Sequence, residues 1–186
     1  RHIGPKTKLL ILNSPSNPTG CVYGAEELNE IAKICVKKKI FVLSDEIYEK
    51  IIFDGSKHIS IAGLNKDIYD LTVTVNGVSK SYAMTGWRIG YLGAPADIAD
   101  AVSRLQGHTT SNPASISQKA AVAALKLGDE FSHQACAEFQ RRRDFCASRL
   151  KSMKNLKHFL PQGAFYIFCD ISATGLKSLE FSNRLL

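Results

Sequence analysis

Six polar residues stand where apolar runs of the chain give out, and together they make a usable chemical set. Asn17 follows the run at residues 8–13, Asp45 closes the run that begins at residue 40, and Tyr48 lies one turn further on. Ser79 and Lys80 follow the run at residues 71–75, and Arg88 stands eight residues beyond Lys80. A lysine amine condenses with an aldehyde to a Schiff base. A carboxylate beneath a pyridine nitrogen keeps that nitrogen protonated, so the ring stays an electron sink. Asn and Tyr side chains hydrogen-bond a ring oxygen, while Ser and Arg hold a phosphate. The set points to pyridoxal phosphate, with Lys80 catalytic and Asn17, Asp45, Tyr48, Ser79, Lys80 and Arg88 binding the cofactor. Taken singly, each residue has a plainer reading. Ser44 and Asp45 before Glu46 read as a helix cap, Lys80 as a surface lysine, and Asn17-Pro18 as a turn.

The elements around these residues alternate. A short apolar run at 8–13 ends in the turn-rich stretch 14–20. Residues 25–38 carry Leu28, Ile31, Ala32 and Cys35 on one side, with Glu26 and Glu27 in the first turn, and read as an amphipathic helix. Strand, crossover helix and strand in so short a span make a βαβ unit with parallel strands. Further runs at 71–75 and 89–93 extend the sheet, so the fold class is α/β with a mostly parallel sheet. Helices are expected over 97–105, 115–127 and about 129–154, and residues 163–170 read as a return to strand. Open α/β sheets bind ligands at the C-terminal ends of their strands. The six polar residues fall there.

With 186 residues, 45% of them hydrophobic and 22% charged, the chain has a globular composition. No stretch reaches the roughly 18 apolar residues of a membrane span, and no secretory leader is evident. Five scattered cysteines without a CxxC pair suit a reducing compartment, and the cytoplasm is expected. The net charge is +7, most of it between residues 141 and 158, where seven lysines and arginines face Asp144 alone. Only Phe145 interrupts this stripe. Nucleic-acid binding needs interleaved aromatics, so the stripe reads instead as the solvated face of a helix whose apolar side carries Phe131, Ala135, Phe139, Cys146, Leu150 and Met153. The five histidines have no spacing suited to a metal. Neither a GxGxxG nor a GxxxxGK motif occurs, which weakens a nucleotide-binding reading.

Three motifs, Asn17-Pro18-Thr19-Gly20, Ser44-Asp45-Glu46-Ile47-Tyr48 and the run from Asn76 through Ser79, Lys80 and Arg88 to Tyr91, occur in the order and spacing of a known family. Together they resemble the fold-type I, class I/II aminotransferases, in particular the bacterial aspartate aminotransferase branch. The similarity continues through Thr110 to Pro113, Arg142 to Asp144 and Gly163 to Tyr166, so it covers nearly the whole chain. The resemblance implies a three-layer α/β/α large domain over residues 1–145 and the start of a smaller α+β domain over 146–186. It implies that Lys80 forms the Schiff base and shuttles the proton, and that Asp45 pairs with the pyridinium nitrogen. Tyr48 and Asn17 would contact the phenolic oxygen, and Ser79 and Arg88 the phosphate. A cis peptide at Asn17-Pro18 is implied as well.

The implied reaction is transamination between an amino acid and a 2-oxo acid, with aspartate and 2-oxoglutarate as the expected pair. An aromatic, alanine or prephenate aminotransferase or a C–S β-lyase keeps the same cofactor. A basic helical binding module is the alternative from another class, and a non-catalytic remnant a third. Neither nucleic acid nor membrane is an expected partner; a homodimer is, with the loop at residues 107–112 approaching the neighbour's site. The chain begins with Arg1 and reads as an internal piece of a longer protein. The family's glycine-rich phosphate turn, its ring-stacking aromatic and its substrate-carboxylate arginine are expected outside it.

Overall fold

The computed structural model describes residues 3–186. Strand β1 (Leu9–Asn13), helix α1 (Ala25–Lys38) and strand β2 (Phe41–Asp45) form the expected βαβ unit. A single helical turn, α2 (Lys66–Tyr69), precedes β3 (Thr72–Gly77) and was not expected from the sequence; the Asn65 side chain caps it. The sheet runs β1-β2-β3-β4, parallel throughout except for β4 (Gly90–Gly93), which is antiparallel to β3. This is the α/β, mostly parallel arrangement that the sequence predicts.

Helix α1 forms where the sequence places it. The Glu27 carboxylate accepts from the Gly24 N–H at 2.8 Å, Lys37 and Lys38 occupy the last turn, and both ends suit the helix dipole. The buried side chains Leu28, Ala32 and Cys35 meet Leu12, Ile40, Val42, Ile61 and Ile68 in the main core. Strand side chains alternate between faces, so the opposite face presents Leu9, Ile11 and Phe41, of which Ile11 is 68% exposed. Helix α3 (Ala96–Thr109) reaches the β3–β4 end of that face across a cleft lined by Val75, Leu92, Val102 and Gln106. It runs four residues beyond the expected 97–105, so residues 107–109 are helical rather than loop.

Helix α4 (Ser115–Leu127) matches expectation, and α5 runs over Asp129–Lys151. Two expectations for α5 are corrected. Its buried line is Ser132, Arg143 and Ala147, with half-buried Cys136 and Phe139 between them, whereas Phe131, Cys146 and Met153 are exposed. Its basic face is not wholly solvated either. Arg143 is buried and donates to both Asp54 carboxylate oxygens, at 2.6 and 2.9 Å, and to the Pro161 carbonyl at 3.0 Å. The guanidinium also lies 4.7 Å from the Phe53 ring centre. An acid distant in sequence has drawn one of the cations inward.

The strand expected over 163–170 is also corrected. Only β6 (Cys169–Asp170) is strand, paired with β5 (Lys157–His158). Residues 161–166 form a loop fastened to other loops. The Gln162 and Gly163 N–H groups both donate to the Gly20 carbonyl, and the Ala164 N–H to that of Ile51. The apolar run reads as strand because its side chains are partly buried, but they pack on Tyr48, Ile51 and Phe53 instead of standing on a sheet. Gly20 has φ +72°, and a Cβ there would lie 2.4 Å from Pro161. At Gly163 an added Cβ would meet the Ile51 carbonyl at 2.8 Å. Both close approaches require glycine. Helix α6 (Ser178–Leu185) follows. Among the described residues, no helix is long and apolar enough to cross a membrane.

Candidate functional site

The parallel register sets Asn13 beside Asp45, and Asp45 beside Val75, at the C-terminal rim of the sheet. Asp45 is half-buried, and its carboxylate accepts from the Ile47 N–H at 3.2 Å. Asn13 ties the first loop to the same rim. Its side-chain N–H donates to the Asp45 carbonyl at 3.2 Å, and its oxygen accepts from the Asn17 N–H at 2.7 Å. The Asn17-Pro18 peptide is cis as expected, and so is Ser14-Pro15, which was not.

Tyr48 follows Asp45 in a tight turn and is buried. Its hydroxyl lies 2.6 Å from that of Tyr166, and its ring meets Phe165 edge-on at 5.2 Å and 84°. Burial, the Tyr166 bond and the nearby Asp45 charge push the Tyr48 hydroxyl well above its ordinary pKa.

The C-terminal end of β3 meets this turn directly. The Glu46 N–H donates to the Val75 carbonyl at 2.9 Å. A Cβ on Gly77 would lie 3.1 Å from the Ile89 carbonyl and 3.2 Å from the Ile47 side chain. Lys80 is half-buried, and its Nζ stands 5.9 Å from the centre of the Phe165 ring. Phe165 thus touches Tyr48 and faces the Lys80 amine. Asp45 closes the strand from which Tyr48 follows, and Tyr48 and Lys80 share the Phe165 ring as a wall.

The remaining expected residues are nearby but less engaged. Ser79 is half-buried beside Lys80, whereas Asn17 and Arg88 are exposed. Arg88 sits in a left-handed conformation, φ 52°, and donates to the Thr85 carbonyl at 2.8 Å. Among the described residues no hydrogen bond joins Asn17, Ser79 or Arg88 to Asp45, Tyr48 or Lys80, and neither Lys80 nor Arg88 has a carboxylate partner. The rim therefore offers an amine, a guanidinium and a carboxylate with bonding capacity to spare.

The sequence pattern did not reveal the Tyr48–Tyr166 hydroxyl pair, 118 residues apart. It also missed a polar cluster behind the rim, where buried Glu46 bonds Ser44, His58 and Ser60. A signal existed for the second: Glu46 follows an apolar strand, two residues from a buried Tyr, where a solvated acid has no room.

Residues 1–186 match the family model described as aminotransferase class I and II. The chain is 44% identical over 189 residues to an aspartate aminotransferase of Bacillus sp. (strain YM-2), covering 99% of this chain and 48% of the relative. It is 43% identical over 190 residues to aromatic-amino-acid aminotransferase 2 of Thermococcus litoralis, covering 100% of this chain and 48% of that protein. Among solved structures, the aromatic aminotransferase from Pyrococcus horikoshii OT3 superposes with a TM-score of 0.92 at 43% identity, over 100% of this chain and 50% of its own. The chain thus spans about half the length of the curated relatives it matches. A rim that gathers an amine, an acid and a phenol, a family model matched from end to end and this shared backbone agree: the chain belongs to the class I and II aminotransferase family.

Proposed function

We propose that the whole protein is a pyridoxal-phosphate-dependent aminotransferase exchanging an amino group between an amino acid and a 2-oxo acid, with aspartate and 2-oxoglutarate as the favoured pair. The observation that carries this reading is the Phe165 ring, which packs on Tyr48 and faces the Lys80 amine beside the Asp45 rim. The residues fit the cofactor by their chemistry. Among the described residues, Lys80 supplies an amine free of any ion pair, Asp45 a carboxylate with one backbone donor, and Arg88 a guanidinium without an acid. Bound there, pyridoxal phosphate supplies a pyridinium ring that accepts the electron pair left when an α-proton departs.

The chain's own residues then have separate tasks. Lys80 would hold the cofactor through its Nζ and, as the amine of the site, would serve as the base that moves the substrate α-proton. The Asp45 carboxylate would keep the ring nitrogen in its charged form, Asn17 and Tyr48 would bond the ring oxygen, and Ser79 and Arg88 would hold the phosphate. Residues 1–145 belong to the large domain, residues 146–186 begin the small one, and two copies form a dimer. All five cysteines are free thiols, which fits a reducing cytoplasm. An aromatic amino donor is the second reading. It is favoured by the name of the Thermococcus litoralis relative and by the Phe165 ring facing Lys80, with Phe139 and Tyr166 packed against that ring.

Borohydride reduction of the whole protein with bound cofactor, followed by peptide mass mapping, tests the core assignment. A pyridoxyl group on Lys80 is the expected result; label confined to another lysine overturns it.

A further inference from the structure

Asp45 and Glu46 are consecutive acids at the end of β2 with opposite surroundings. Asp45 lies on the rim, whereas Glu46 is 3% exposed on the other face of the sheet. Its Oε1 accepts from Ser44 at 2.8 Å and Ser60 at 2.7 Å, and its Oε2 faces His58 Nε2 at 2.8 Å. Ser60 leads into a helical turn whose Ile61 sits in the main core. Glu49, one turn on, brings its carboxylate within 4.8 Å of the Glu46 and His58 ligand atoms and is the other acid at this cluster. Burial alone would raise the Glu46 pKa, but the bonds from His58, Ser60 and Ser44 outweigh it and hold the carboxyl below its ordinary value.

Resting on the role proposed for Asp45, we infer that Glu46 is a positioning residue that fixes the Asp45 carboxylate beneath the cofactor nitrogen. The peptide between the two acids is held from both sides. The Asp45 carbonyl accepts from Asn13 and Ser14, and the Glu46 N–H donates to Val75. The Glu46 side chain supplies the third anchor, from strand end to core. Pairing with β1 and β3 holds β2 as far as Asp45, and the Glu46 anchor adds a fixed point immediately beyond, where that pairing ends. An ionised acceptor suits this anchor better than a neutral amide. A carboxylate is acceptor-only, so His58 donates to it from Nε2, while among the described residues its buried Nδ1 has no partner. A glutamine whose amide N–H faced Nε2 would set donor against donor at this contact.

The test is a double-mutant cycle in the whole protein with bound pyridoxal phosphate, reading the pH midpoint of the cofactor's absorbance, kcat, KM and Tm. Asp45→Asn should shift the midpoint. Glu46→Gln should shift it in the same direction by less and lower kcat by about tenfold, with KM little changed, as misplacement of a catalytic group does. In the Asp45→Asn background, Glu46→Gln should add no further shift, because it acts through Asp45. Glu46→Asp, which keeps the charge, should retain more of the wild-type midpoint than Glu46→Gln. A lowered Tm with midpoint and kcat unchanged overturns the inference, and so do shifts that add in the double variant. If Asp45→Asn itself leaves the midpoint unmoved, the role of Asp45 falls first, and that of Glu46 with it.

Discussion

At the Tyr48–Tyr166 contact two phenols share a 2.6 Å hydrogen bond, with the Asp45 charge close behind. Each of these holds the Tyr48 proton in place, so removing one should loosen it. Tyr166→Phe is expected to lower the Tyr48 pKa toward its ordinary value and to cost about 1 kcal/mol of stability. Near-ultraviolet tyrosinate titration and thermal unfolding measure the two effects, and an unmoved Tyr48 titration would contradict the account. Asp45, Tyr48 and Lys80 were legible in the sequence because each closes or follows an apolar run, and a strand end is where a parallel sheet presents its chemistry. Tyr166 was not, since nothing local to residue 166 names a partner 118 residues away.

The same contrast holds for elements. Helix α1 and strands β1 to β4 were legible because their apolar periods, acidic first turn and basic last turn are local signals. The loop at residues 161–166 shows the opposite. Its backbone bonds run to Gly20, Ile51 and Phe53, and its apolar side chains imitate a strand. Arg143 on α5 likewise reads as one more surface cation until Asp54, 89 residues away, is set beside it. That pair makes a pH-dependent prediction. The Arg143 guanidinium holds the Asp54 carboxyl below its ordinary value, so folding favours the ionised form. Its contribution is complete above the unfolded value of roughly 3.9 and is lost as the pH falls through the lower folded value. Asp54→Asn should therefore destabilise the protein near neutrality by about 1 kcal/mol, because solvent screens the half-exposed Asp54 carboxylate and Asp144 still pairs with Arg143. The difference from wild type should shrink as acid is added. Urea unfolding across that range decides it; a difference that grows in acid has the wrong sign.

On the scale of the whole molecule, the sheet has one finished face and one unfinished. Helix α1 covers the first, while Leu9, Ile11 and Phe41 stay exposed on the second and Ile116, Val122 and Leu127 remain bare on α4. Apolar surface this extensive mostly marks a place where something packs, and the relatives are about twice as long. The isolated 186-residue chain is accordingly expected to bind pyridoxal phosphate poorly and to bind an apolar dye such as ANS strongly. Equilibrium dialysis and dye fluorescence check both, and tight stoichiometric cofactor binding by the chain alone would show the prediction to be wrong.

Residues 161–164 are bolted down from several directions: by the Gly20, Ile51 and Phe53 backbones and, through the Pro161 carbonyl, by Arg143. Fastened in this way to the loops at the C-terminal end of the sheet, the strip carries the Phe165 ring with it, so loosening any of these bolts would slacken the ring that packs on Tyr48 and faces Lys80.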